Sequence, residues 1–77
     1  MTIHLHEEVV LERDVPDEGL RRGDIGTVVH VYPRGGFEVE FFTAAGNTRA
    51  VVTLRADEVR LATDNELVSV RALERTG

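Results

Sequence analysis

The stretch Gly19-Leu20-Arg21-Arg22-Gly23-Asp24-Ile25-Gly26-Thr27-Val28-Val29-His30-Val31-Tyr32 decides the fold. A charged loop ends at Gly23, and a β-branched run begins two residues later. Gly23-Asp24 is turn-competent, because a residue without Cβ enters φ > 0 freely. From Ile25 to Tyr32 the run reads as a strand with two largely apolar faces. One carries Ile25, Thr27, Val29 and Val31; the other carries Gly26, Val28, His30 and Tyr32. A strand with one solvated face would alternate apolar and polar residues. A long, bent strand serving both sides of a small barrel accounts for two apolar faces. Gly26 then marks the bend or a bulge, or the place where another backbone comes close.

Upstream, Val9-Val10-Leu11 flanked by charge predicts a first strand over Glu8 to Arg13, with residues 1–7 as a mobile lead-in. Between the two strands, Asp14 to Asp24 carries two glycines and a proline and stays in water. Pro16 biases Val15 toward an extended conformation, and Val15 and Leu20 are expected to fold back as loop anchors. Downstream, Pro33-Arg34-Gly35-Gly36 is a hairpin connection. Phe37, Val39 and Phe41 alternate with Glu38 and Glu40, which predicts a strand with the aromatic side inward. Phe42 breaks the alternation and is expected exposed. Gly46-Asn47 supplies the next turn. Thr48 to Leu54 follows as a strand, with Ala50, Val52 and Leu54 inward and Arg49, Val51 and Thr53 outward. Arg55 to Val59 fits one helical turn, returning Val59 and Leu61 to the core as a short last strand. In the extension 62–77, Thr63-Asp64-Asn65-Glu66 matches a helix capping box, whereas Val68 and Val70 suit a strand; an added strand is slightly favoured.

The chain has 77 residues, enough for one domain with one core. It contains no cysteine, which removes disulfides, thiolate metal sites and cysteine nucleophiles and suits a reducing cytoplasm. The first residues do not read as a signal peptide, and no apolar run approaches the ~20 residues of a membrane span. With 14 acidic and 9 basic residues, the net charge of −5 disfavours tracking of nucleic-acid phosphates. All the basic residues are arginine.

Few groups point to chemistry. His4-x-His6-x-Glu8 would face one way on a strand and suit zinc or nickel, but a solvated terminus is the better reading and no metal site is expected. Asp14, Asp17, Glu18 and Asp24 match neither a calcium loop nor a split carboxylate pair and read as a solvated loop. Arg21, Arg22, Arg34 and Arg49 are candidates for a small basic patch at one end of the barrel, which with Phe42 or Tyr32 would serve RNA. Tyr32, Phe37 and Phe41 are expected in the core; Phe42, with Val51 beside it, is expected to form an exposed apolar spot. No nucleophile has a base, and there is neither a phosphate-binding nor a dinucleotide-binding loop.

Five short strands, a long charged loop after the first and a one-turn helix before the last resemble an SH3-like barrel. Gly23-Asp24-Ile25-Gly26-Thr27-Val28-Val29 is similar to the glycine-centred motif of SH3-like ribosomal and transcription-factor domains. More closely, Asp14 to Leu20, Gly23 to Val29, Tyr32, Phe37 to Phe41 and Ala50 to Leu54 resemble the small bacterial family catalogued as domain of unknown function 4926. That resemblance spans residues 8–61 and implies an accessory protein, encoded beside a larger partner such as a toxin. The expectation is therefore an all-β SH3-like barrel that is a non-enzymatic, cytoplasmic protein-interaction module without cofactor. Asp17, Glu18, Arg21, Arg22 and Phe42 are its candidate partner-binding residues. RNA or ribosome association is the alternative. An exposed strand edge or the C-terminal extension leaves a homo-oligomer open.

Overall fold

The structure, a computed structural model, describes residues 2–42 and 48–65, with only the backbone of residues 48 and 49. The expected Gly46-Asn47 turn lies outside the described residues, and so does the strand-or-helix choice over 64–74 beyond Asn65. Five strands form in chain order: β1 (Glu8–Leu11), β2 (Ile25–Val31), β3 (Phe37–Phe42), β4 (Thr48–Leu54) and β5 (Val59–Leu61). They make one antiparallel sheet in the order β4-β3-β2-β1-β5. The protein is a small all-β domain. Its only described helical elements between strands are two short 3-10 turns, Pro16–Glu18 and Ala56–Glu58.

The sheet has to curl. Laid flat, five strands about 4.8 Å apart would hold β4 and β5 roughly 19 Å from each other. The link from Leu54 to Val59 is a single 3-10 turn with about 2 Å rise per residue, so it covers only roughly 10–13 Å. Curling brings the two end strands together and gives the sheet a concave face. There Val9, Leu11, Val28, Phe37, Val39, Phe41, Ala50, Leu54 and Val59 form one core. Leu20 joins that core and Val15 packs against it, the two loop anchors facing each other across a backbone bridge. The arrangement is compatible with an SH3-like barrel; β4 and β5 are not paired with each other among the described residues.

Three findings depart from the sequence reading, and a fourth, at Gly26, decides between its alternatives. Residues 2–7, expected as a lead-in, carry Ile3 into the core, and His6 N–H and Glu7 O bond the backbone of Val28. Asp24, expected in water, is 2% exposed. Gly26 is the point of close approach: a Cβ there would lie 2.7 Å from Val39 Cγ1 and 2.8 Å from the Glu40 carbonyl oxygen. The irregularity of β2 sits further on, where the register with β3 shifts between Val28 and His30. Val29 is thus an extra residue, and a bulge of this kind turns the following side chains over. Tyr32, expected in the core, lies outside for this reason, and His30 with it.

Candidate functional site

The convex face of β2, β3 and β4 is built by that bulge. Up to Val28, even-numbered residues of β2 point inward. Beyond it, His30 stands opposite Glu38 and Val31 opposite Phe37. Glu38 in turn faces Thr53, and Glu40 faces Val51. The face therefore displays Val29, His30 and Tyr32 from β2 and its end, Glu38, Glu40 and Phe42 from β3, and Val51 and Thr53 from β4. Val51 is 52% exposed and Phe42 39%, with Val29 and Tyr32 close behind. Such a row of apolar groups on the solvent side of an antiparallel sheet is unusual, since that side is ordinarily polar.

A polar cluster lies at one end of the row. The Tyr32 hydroxyl donates to Glu38 Oε2, and Thr53 Oγ1 donates to the same oxygen at 2.7 Å. His30 meets the Tyr32 ring edge-on, with centroids 4.6 Å apart. The Tyr32 hydroxyl, then Thr53, hold the Glu38 carboxyl below its ordinary range against a smaller opposing effect of desolvation. Reciprocally, the bond to Glu38, with desolvation and the negative field, raises the Tyr32 phenol. The pair therefore favours folding from above the ordinary carboxylate range up to the ordinary phenol range. Its contribution fades as acid protonates Glu38 and again as alkali ionises Tyr32. Tyr32 is the single tyrosine and there is no tryptophan, so phenolate absorbance reports it alone. The native protein should ionise Tyr32 above pH 10, and Glu38→Gln should lower that midpoint. An unchanged midpoint would remove the bond from this account.

Asp17 and Glu18 are exposed on the 3-10 turn of the first loop, and Arg21 and Arg22 are exposed after it. Phe42 lies on the convex face at the loop's end of the sheet, because Thr27 stands opposite Glu40 and the register runs on toward Ile25. Arg34 sits in the hairpin beyond the far end of β2, roughly 20 Å from that loop by the rise of a seven-residue strand. The structure thus does not gather the four arginines at one end. His4 and Glu8 do not converge either. His4 Nδ1 is 3.5 Å from Glu7, while Glu8 accepts from Thr27 Oγ1 at 2.7 Å. His6, Glu7, Glu8, Leu61 and Ala62 line an open hollow of about 300 Å³. No group of three or more His, Asp or Glu side chains among the described residues is placed to hold a metal. No helix among them is long and apolar enough to cross a membrane.

Sequence reasoning missed His30, Tyr32, Glu38 and Thr53 as a unit. The alternation in Phe37 to Phe41 had Glu38 outward, but only the bulge brings Tyr32 to it.

A single curled antiparallel sheet with an apolar convex face defines the class: a small all-β domain. Within that class the chain belongs to a family described as a domain of unknown function, DUF4926, whose model it matches over residues 5–61. No curated protein and no solved structure matches it.

Proposed function

We propose that the domain is a non-enzymatic protein-interaction module, a cytoplasmic accessory to a larger protein encoded beside it, such as a toxin that it neutralises. One observation carries the reading: Val29, Tyr32, Phe42 and Val51 stand exposed together on the convex face. A small domain with little core to spare gains little for its own fold from exposing Val29, Phe42 and Val51, whereas a partner would bury them. Glu38 and Glu40 on the same face oppose phosphate, so the face favours a protein over RNA.

Co-expression with the product of the adjacent gene, followed by affinity purification, tests this. A stoichiometric complex is expected. Val51→Asp and Phe42→Ser should each weaken it at least tenfold, as loss of an apolar anchor does. Because both residues face solvent, each should cost the domain only about 1 kcal/mol or less. A complex that survives both substitutions, or none with the wild-type protein, would overturn the reading. Salt-releasable nucleic acid in the pure protein would favour the RNA alternative.

A further inference from the structure

We propose that Glu38 is an acceptor for an arginine side chain of the partner, with the guanidinium on the carboxylate and beside the Tyr32 ring. This rests on the docking reading above and names the chemistry of what docks. Glu38 is held from both neighbouring strands, by the Tyr32 hydroxyl at the end of β2 and by Thr53 on β4. Both donors take Oε2, and Oε1 accepts from no described residue. A carboxylate fixed this way loses little further freedom when a cation binds. His30, edge-on to Tyr32, fixes the ring as well.

The surroundings suit arginine. A guanidinium packs against an aromatic ring while donating to an oxygen, and it gives up its water more readily than an ammonium. Its methylene stem needs apolar support, which Val51 offers, two residues from Thr53 on the same side of β4. The charge is complementary: Glu8 lies on the same side of the sheet, and among the described side chains on that side of β2, β3 and β4 there is no arginine, His30 being the one group able to carry positive charge. The domain's own arginines are occupied elsewhere in several cases. Arg13 and Arg55 pair with Glu58, and Arg60 lies 3.8 Å from Glu12. Arg34, at the adjacent hairpin, makes no ion pair with Glu38 among the described residues.

Short capped peptides test this directly: Thr-Val-Arg-Val-Thr and its lysine, citrulline and glutamate versions. Tyr32 fluorescence and the amide resonances of Glu38, Val51 and Thr53 serve as readouts. The arginine peptide should perturb all four residues, lysine should bind more weakly, and citrulline and glutamate at least tenfold more weakly. Glu38→Gln should weaken the arginine peptide roughly tenfold, the usual scale of a lost charge-assisted hydrogen bond. Equal binding of arginine and citrulline, perturbations elsewhere on the sheet, or no binding would overturn the assignment. A dimer in sedimentation that Glu38→Gln dissolves would also overturn it, by seating the chain's own arginine there. The docking reading survives each of these results if Val51→Asp still breaks the complex with the neighbouring protein. It falls, whatever the peptides do, if that complex does not form.

Discussion

Gly26→Val should remove more than about 3 kcal/mol of the protein's stability. The position is buried on the core side of β2, beside β1, where Val9 is its partner. A Cβ built there meets Val39 Cγ1 at 2.7 Å, the Glu40 carbonyl oxygen at 2.8 Å and Phe41 Cδ2 at 2.8 Å. A valine side chain tip could rotate away. The carbonyl belongs to the β2–β3 ladder, and Phe41 is fully buried in the core, so neither can yield cheaply. Overpacking commonly costs about 1–3 kcal/mol, and valine adds two further methyl groups to the clash. A loss above about 3 kcal/mol is expected, against a total of roughly 4–12 kcal/mol for a domain of this length. Gly26→Ala should already lose a large part of it. Gly23→Ala is the control: Gly23 has φ +96° but open space around its Cβ position, so only backbone strain of about 1–2 kcal/mol is expected. Urea denaturation followed by far-ultraviolet circular dichroism measures all three. Gly26→Val with a midpoint near that of Gly23→Ala would show that β2 and β3 are not packed as described.

The same strand shows what could be read from sequence and what could not. Gly26 was legible as a possible close approach because a glycine inside a β-branched run has few other uses. The alternation in Phe37 to Phe41 placed three side chains in the core, and the break at Phe42 marked an exposed ring. Val15 and Leu20 were legible as anchors because they are the apolar pair in a charged loop. Val29 was not legible as a bulge. Val28-Val29 and Val31 fit either face, so a period of two offers no sign that a residue has been inserted. That single insertion moved Tyr32 from the expected core to the convex face, and the Tyr32–Glu38–Thr53 cluster went unseen with it. Glu58 was hidden for a related reason. It reads as one more surface acid. Yet it is 8% exposed, accepts the Arg55 N–H at 2.7 Å and pairs with Arg13, which is distant in sequence.

Asp24→Ala should cost about 1–3 kcal/mol, the scale of a donor left without its acceptor, while Asp24→Asn should keep most of that stability. Asp24 ends the charged loop, and four bonds converge on its short turn. Its own N–H donates to the Arg21 carbonyl at 3.0 Å, which closes a turn whose third residue, Gly23, needs φ > 0. Its Oδ2 accepts the Arg21 N–H at 2.9 Å. Its carbonyl accepts the Leu11 N–H at 2.9 Å, while Gly23 N–H donates to the Leu11 carbonyl, extending the β1–β2 ladder one rung past Val10 and Ile25. The carboxylate thus closes the turn, while the backbone of Asp24 and Gly23 ties it to the first strand; burial follows from that pairing, thirteen residues away in sequence. Asparagine retains an amide oxygen able to accept from Arg21, so the pair of variants separates hydrogen bonding from charge. Amide exchange gives the second readout. In Asp24→Ala the N–H groups of Arg21, Gly23 and Leu11 should lose protection together, and those of Val28 and Val39 should lose only what global stability dictates. The turn also positions Arg21 and Arg22, two of the candidate partner-binding residues. If Asp24→Ala keeps wild-type stability and loop protection, the carboxylate does not anchor the loop.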